Sequence, residues 1–176
     1  MSQPVLETPR LRLTPRRLAE TETCLAMDRE PGVTRFISGP WDDPAAHRAF
    51  IEARTRGPWP RSLGYWSLRP RCGGDFLGWV LLIPEDGAGP EVEIGWRLRP
   101  AAWGHGHATE AAAALLRHGL GTVGLARVVA GIDPANAASL AVAARLGMRP
   151  VPAAGRYSRR VLERADYLAA EGSPPP

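Results

Sequence analysis

Trp103-Gly104-His105-Gly106-His107-Ala108-Thr109 decides how the rest of the chain is read. It follows Glu91-Val92-Glu93-Ile94-Gly95-Trp96-Arg97-Leu98-Arg99, which alternates as a strand does, with Val92, Ile94, Trp96 and Leu98 on one face. Glu91, Glu93, Arg97 and Arg99 fall on the other face, and a charged face inside a buried sheet points to a cleft beside it. After the turn, Ala108, Ala112, Leu115, Leu116 and Leu120 recur at helical spacing up to Gly121. Glycines let the backbone bend tightly and aim several N–H groups at one point, and the helix start adds the positive end of its dipole. Such a turn suits a phosphate or pyrophosphate, although the same pattern also serves as a plain structural turn. A dinucleotide fold would want a third glycine near Thr109 and a turn after its first strand, and neither condition holds.

Working downstream, Arg127 to Ile132 reads as a strand, Asp133-Pro134 as a turn, and Asn136 as the cap of a helix through Leu140, Ala143 and Leu146 that stops at Gly147. Arg149 to Val151 and about Tyr157 to Leu168 are candidates to complete the sheet, with Val161 to Tyr167 ambiguous between strand and helix. Upstream, Phe76 to Ile83 is apolar on both faces, the mark of a central strand covered on two sides, and it pairs naturally with Leu63 to Leu68 across the Arg71-Cys72-Gly73-Gly74 turn. Asp43-Pro44 predicts a helix start, with the helix closing at Gly57-Pro58. A first helix is expected from Pro15 to about Met27, and Leu6 to Leu13 is expected as one edge strand carrying Pro9.

The chain has 176 residues, which suits one domain with a core of its own. Residues 1–168 are expected to form that domain and residues 169–176 a flexible, proline-rich tail. Hydrophobic residues make up 44% and charged residues 23%, and the longest apolar run is too short to span a bilayer, so no membrane association is expected. The first residues contain Glu7, Glu20 and Glu22 and no apolar leader, so a cytoplasmic location is expected. Cys24 and Cys72 have no C-x-x-C partner and read as reduced thiols. All 22 basic residues are arginine, which excludes a Walker A lysine, a pyridoxal Schiff base and a lysine nucleophile. A net charge of +4 without any basic run longer than two residues argues against a nucleic-acid partner.

The ordered motifs resemble the GNAT acetyltransferases, and within them the subgroup containing the ribosomal-protein N-terminal acetyltransferases. The resemblance runs from Thr8-Pro9-Arg10-Leu11-Arg12-Leu13 through Phe76-Leu77-Gly78-Trp79, Val92 to Leu98 and Trp103 to Ala111, and on into Asp133 to Ser139 and Arg145-Leu146-Gly147-Met148. It implies an α/β (α+β) fold with a mixed, mostly antiparallel, splayed sheet flanked by helices, and acetyl-CoA as cosubstrate. In the family's loop, Q/R-x-x-G-x-G/A, Gly106 and Ala108 match, while Trp103 stands where Gln or Arg is usual, as it does in the subgroup. The resemblance implies that backbone N–H groups of Gly104, His105, Gly106, His107, Ala108 and Thr109 hold the pyrophosphate. It implies that the backbone of Trp96, Arg97 and Leu98 pairs with the pantetheine arm, with Gly95 as the expected site of a splaying bulge.

The family transfers acetyl by direct attack of an amine in a ternary complex, which fits the absence of a G-x-S-x-G elbow. A strand N–H near Trp96 would serve the oxyanion. The tyrosine many relatives use to protonate the thiolate is Ala143 here, and the subgroup's serine corresponds to Ser139. Ser139 also reads as an ordinary first-turn residue, and Asn136 as an N-cap that relatives use on the pantetheine amide as well. A glutamate that serves as base in some relatives is Gly131 here, so Glu93 is a candidate proton acceptor, directly or through water; it reads equally as the ion-pair partner of Arg97 or Arg12, with water alone then taking the proton. His105 and His107 lack a third ligand at suitable spacing, so no metal is expected. Trp41, Trp59, Tyr65 and Trp66 are expected in the core, and Arg35, Trp41, Asp42 and Asp43 are candidates to line the acceptor pocket. The implied activity is N-acetylation of a primary amine, either a protein N-terminus or a small molecule, by a monomer or homodimer. The alternative is an acyl-CoA-binding sensor with little turnover.

Overall fold

The computed structural model describes residues 3–87, 89–153 and 155–172. Its framework is an eight-stranded sheet made of β1 (Leu6–Glu7), β2 (Leu11–Pro15), β3 (Gly64–Pro70), β4 (Gly78–Pro84), β5 (Val92–Leu98), β6 (Arg127–Ile132), β7 (Arg149–Val151) and β8 (Ser158–Glu163). The spatial order is β1-β2-β3-β4-β5-β6-β8-β7. Each neighbouring pair is antiparallel except β5 and β6. Those two run parallel and share one ladder pair, Glu93 with Val129, so the sheet splays beyond it. The fold is the mixed, splayed α/β arrangement that the sequence motifs imply.

The two-sided character of β4 has a direct cause. Val80 and Leu82 join Leu11, Leu13, Trp66, Leu68 and Ile94 in one core, closed by α3 (His107–Leu116). Trp79, Leu81 and Ile83 join Tyr65, Cys24, Leu25, Met27 and Ile51 in a second core, under α1 (Thr21–Asp28) and α2 (Pro44–Arg56). Alternating residues of each central strand thus feed opposite cores. Tyr65 and Trp66 are buried on opposite faces, whereas Trp41 and Trp59 are only half-buried. α4 (Ala137–Arg145) follows β6, and α5 (Arg164–Glu171) follows β8.

Several sequence expectations are corrected. Leu6 to Leu13 is a hairpin: β1 and β2 pair antiparallel around a turn containing Pro9. The first helix starts at Thr21 because the Arg16 N–H bonds to the Tyr65 carbonyl, prolonging the strand pattern past Pro15, and a single 3-10 turn at Leu18–Glu20 intervenes. The β4–β5 register runs unbroken through the pair Leu81 with Gly95, so Gly95 carries no bulge in that ladder, and the splay comes from the β5–β6 side. α3 widens into a π-helical turn over Arg117–Val123 that ends at left-handed Gly124. Gly119 in that turn lies against β4, where a Cβ would come within 2.8 Å of a Leu82 methyl. The ambiguous C-terminal stretch divides at Glu163 into strand and helix, so residues 169–171 of the expected tail are helical. Residues 173–176, the rest of that tail, lie outside the described residues. No helix among the described residues is long and apolar enough to cross a membrane.

Candidate functional site

The glycine turn has the geometry its sequence demands. Gly104 and Gly106 both have φ of +76°, a left-handed conformation that costs an L side chain about 1–2 kcal/mol. Gly106 occupies the N-cap position of α3, and no side chain bonds the helix's first N–H groups. An uncapped helix N-terminus reached by an exposed, glycine-rich turn is an anion site in waiting. The turn is clamped from behind by Arg10, whose Nε donates to Glu110 Oε2 at 2.6 Å and whose Nη1 donates to the His105 carbonyl at 2.9 Å. The other oxygen of Glu110 accepts from the Arg10 N–H at 3.0 Å and from Thr8 Oγ1 at 2.5 Å. Burial pushes the Glu110 carboxyl up, but these bonds more than offset it and hold the group below its ordinary range. A carboxylate in the first turn also suits the helix dipole.

Trp103 leaves its indole half exposed while Nε1 donates to the Leu98 carbonyl at 2.8 Å, which fixes the turn to the end of β5. His105 and His107 sit with ring centroids 5.7 Å apart. Burial and the neighbouring Arg10 and His105 lower the His107 pKa, so that ring is neutral near pH 7. Among the described residues, no group of three or more His, Cys, Asp or Glu side chains is placed to hold a metal ion.

Past Glu93, the edge of β5 that faces β6 makes no ladder pairs, and it carries Trp96, Arg97 and Leu98. Across the gap stands the N-terminus of α4. There Asn136 Oδ1 accepts from the Ser139 N–H at 3.1 Å, and Ser139 Oγ accepts from Trp96 Nε1 at 3.2 Å. Trp96, Asn136 and Ser139 therefore meet at the mouth of the splay. The open strand edge is free to pair with an extended amide-bearing arm, and the glycine turn offers unpaired N–H groups to an anion.

Glu93 sits on the opposite face of β5, toward α2. Burial raises its pKa to about 6, with Arg54 pulling the other way. Neither arginine offered by the sequence reading as its partner pairs with it. Arg97 Nη1 donates to Asp28 Oδ1 at 2.8 Å, and Arg12 reaches Glu7 at 3.8 Å. A carboxyl tuned to the neutral range beside an open strand edge has the character of a proton acceptor.

Sequence reasoning missed the network around Asp28. Asp28 Oδ2 lies 3.0 Å from His47 Nε2 while Oδ1 takes Arg97, so one fully buried carboxylate ties α1, α2 and β5 together. Arg97 was expected on a polar face, yet it is 6% exposed because α1 and α2 cover that face. Nothing in the spacing of Asp28, His47 and Arg97 announces the contact. Of the pocket candidates, Asp43 is consumed as the α2 N-cap, accepting from Ala45 and Ala46 N–H. Arg35 packs over Phe36, Asp42 is exposed, and Trp41 lies over Arg97 with its ring edge-on to His47. Also unforeseen, Arg156 joins Asp133 to Ser38, linking the segment before β8 to the α1–α2 connection.

Comparison with known proteins agrees with this geometry. The family model described as acetyltransferase (GNAT) domain matches residues 10–149. The chain is 29% identical over 162 residues, 85% of this chain and 67% of the relative, to the FsC-acetyl coenzyme A-N(2)-transacetylase of Aspergillus fumigatus. It is 30% identical over 141 residues, 78% of this chain and 81% of the relative, to protein YkkB of Bacillus subtilis, which is uncharacterized. Among solved structures, an acetyltransferase from Agrobacterium tumefaciens superposes with a TM-score of 0.73 at 26% identity, covering 93% of this chain and 96% of that one. A Vibrio cholerae protein proposed to be a ribosomal-protein-serine acetyltransferase superposes with a TM-score of 0.73 at 18% identity, covering 93% and 99%, a likeness of fold alone. The chain belongs to the GNAT acetyltransferases and is an acetyl-CoA-dependent acyltransferase.

Proposed function

We propose that the chain acetylates a primary amine, on a protein N-terminus or a small molecule, by direct attack on acetyl-CoA in a ternary complex. The observation that carries this reading is the convergence of two features on one cleft: the uncapped N-terminus of α3 and the unpaired edge of β5. In this reading, N–H groups of residues 104–109 hold the pyrophosphate, and Trp96 to Leu98 pair with the pantetheine arm. Asn136 and Ser139 close the far side of the cleft. Glu93 takes the ammonium proton, directly or through water, and the Trp96 strand N–H meets the oxyanion. Ser139 Oγ protonates the leaving thiolate.

The raised carboxyl of Glu93 favours turnover over an acyl-CoA sensor, because a sensor has no use for a base near neutrality. The name of the A. fumigatus relative, with acetyl coenzyme A as donor and a nitrogen as acceptor, supports the same donor and acceptor type here. Membership of the ribosomal-protein N-terminal subgroup rests on Trp103 and Ser139 standing at that subgroup's positions. The test is release of free CoA thiol from acetyl-CoA with a panel of amines. Acceptor-dependent release is expected, whereas saturable CoA binding with no such release would replace this reading with the sensor.

A further inference from the structure

The second core contains a set of donors without acceptors. Arg16 is 7% exposed, and its Nε, Nη1 and Nη2 are all buried without a hydrogen-bond partner. Trp79 Nε1 and Arg97 Nε are buried and unpartnered as well. These atoms belong to one cluster: the Arg16 guanidinium carbon lies 3.9 Å from the Tyr65 ring centroid and 5.7 Å from that of Trp79, and that of Arg97 lies 4.8 Å from Trp79. Ring faces attract a guanidinium but do not accept its N–H bonds along their donor directions, and buried donors left unpaired are destabilising.

Charge points the same way. The groups facing Arg16 are Cys24, Tyr65, Asp28 and Arg97. Burial raises the Cys24 thiol to about 11 and raises Tyr65 too, so both are neutral at physiological pH. Asp28 is already shared between Arg97 and His47. Two guanidinium groups therefore face one carboxylate, and the enclosed cluster lacks at least one negative charge. A buried charge of this kind is tolerated only when paired.

The cluster adjoins the proposed reaction site. Ladder pairs run from Tyr65 to Leu81 to Gly95 and from Trp79 to Arg97, so the row beside Arg16 ends on β5 between Glu93 and Arg97. With strands about 4.8 Å apart, a guanidinium lying over the β3 and β4 rings is roughly 5–10 Å from the β5 row. Half-buried Trp41, on the connection between α1 and α2, lies over Arg97 and separates this side of the cluster from solvent.

Resting on the acetyltransferase reading and deepening it, we infer that Arg16, with Trp79 Nε1 and Arg97 Nε, forms a subsite for the carboxylate of the acceptor. The substrate class is therefore an amino acid whose amine and carboxylate are separated by several bonds. The planar fork of Arg16 takes the two carboxylate oxygens, and the amine lies toward Glu93.

The test compares γ-aminobutyrate, δ-aminovalerate and ε-aminocaproate, each with its carboxamide, as acceptors for wild type and Arg16→Met. In wild type at least one acid is expected to exceed its amide at least tenfold in kcat/KM through a lower KM, and Arg16→Met brings that ratio to within about threefold of one. Ratios near one for every pair in wild type, or a preference that survives Arg16→Met, overturn the subsite while leaving the acetyltransferase reading standing. Calorimetric titration of pentanoate against pentanamide, in the presence of CoA, decides independently of turnover. Saturable pentanoate binding that weakens at least tenfold in Arg16→Met supports the subsite even if every amine fails as acceptor, which would sink the parent reading alone. Absence of pentanoate binding to wild type, with no acid preference in the kinetics, overturns it. Should Arg16→Met fail to fold by circular dichroism, Arg16→Lys keeps the charge and removes the fork, and a loss of acid preference there is the expected result.

Discussion

Replacing Glu93 with glutamine should make the protein more stable and less active at once. A carboxyl whose pKa rises on folding from 4.5 to about 6 prefers its neutral form in the native state. Below pH 4.5 both states hold the proton and the ionisation contributes nothing. Between 4.5 and 6 the native state keeps a proton that the unfolded chain has released, so stability falls as pH rises. Above 6 the full cost is present, about 2 kcal/mol for 1.5 units at 1.36 kcal/mol each. Glu93→Gln keeps the shape and removes the charge, so at pH 8 it should gain most of that amount. For a chain of this size that is about 4–8 °C in Tm, or about 1 M in urea midpoint at a slope near 2 kcal/mol/M. At pH 4 the gain should vanish.

Loss of a general base typically costs about 10²–10⁴ in rate. The acidic limb of the kcat/KM profile in wild type, with its midpoint near 6, should disappear in the variant. Paired urea titrations at pH 4 and pH 8, with thiol-release kinetics from pH 5 to 9, measure all three quantities. A glutamine variant that is less stable at pH 8, or that keeps more than a third of wild-type activity, would refute the placement of Glu93 as a buried base.

Ser139→Ala removes the oxygen that Trp96 Nε1 meets at 3.2 Å, and it should lower kcat about 10–100-fold with less than threefold change in acetyl-CoA affinity. Equal losses in both by steady-state kinetics and calorimetry would mark the serine as structural. Gly106→Ala forces a Cβ onto a residue at φ +76°, 3.4 Å from Arg10 Nη2. It should weaken acetyl-CoA binding at least tenfold while circular dichroism stays native, and unchanged affinity would remove the turn from the donor site. Asp28→Asn leaves Arg97 buried without a counter-ion and should cost about 3–5 kcal/mol in urea unfolding; a loss under 1 kcal/mol would show that the network does not hold α1, α2 and β5 together.

Local signals proved reliable where one residue fixes a boundary. Asp43-Pro44 starts α2, Asn136 caps α4, Gly147 ends it with φ +77°, and β6 occupies the expected Arg127–Ile132. Period-two alternation correctly divided β5 into two faces, but it says nothing of what covers each face. Helices more than forty residues upstream bury Arg97, and only the folded topology brings Asp28 and His47 to it. Arg16 escaped notice for the same reason: in sequence it is one of several arginines near the start, and its burial depends on α1 folding back over Tyr65 and Trp79. The glycine turn before α3 was legible because its geometry is local to the backbone. The clusters around Asp28 and Arg16 were not, because they are assembled from side chains that meet across separate elements.

The solitary rung between Glu93 and Val129 gives the sheet two leaves, β1 to β5 and β6 to β8, that scarcely touch through their main chains. An extended arm laid along the bare margin of β5 would act as a temporary ninth strand, supplying cohesion that the polypeptide leaves out. Donor affinity and the integrity of the sheet are then one quantity. On that proposal, any change that stitched the leaves together permanently would close the margin to such an arm.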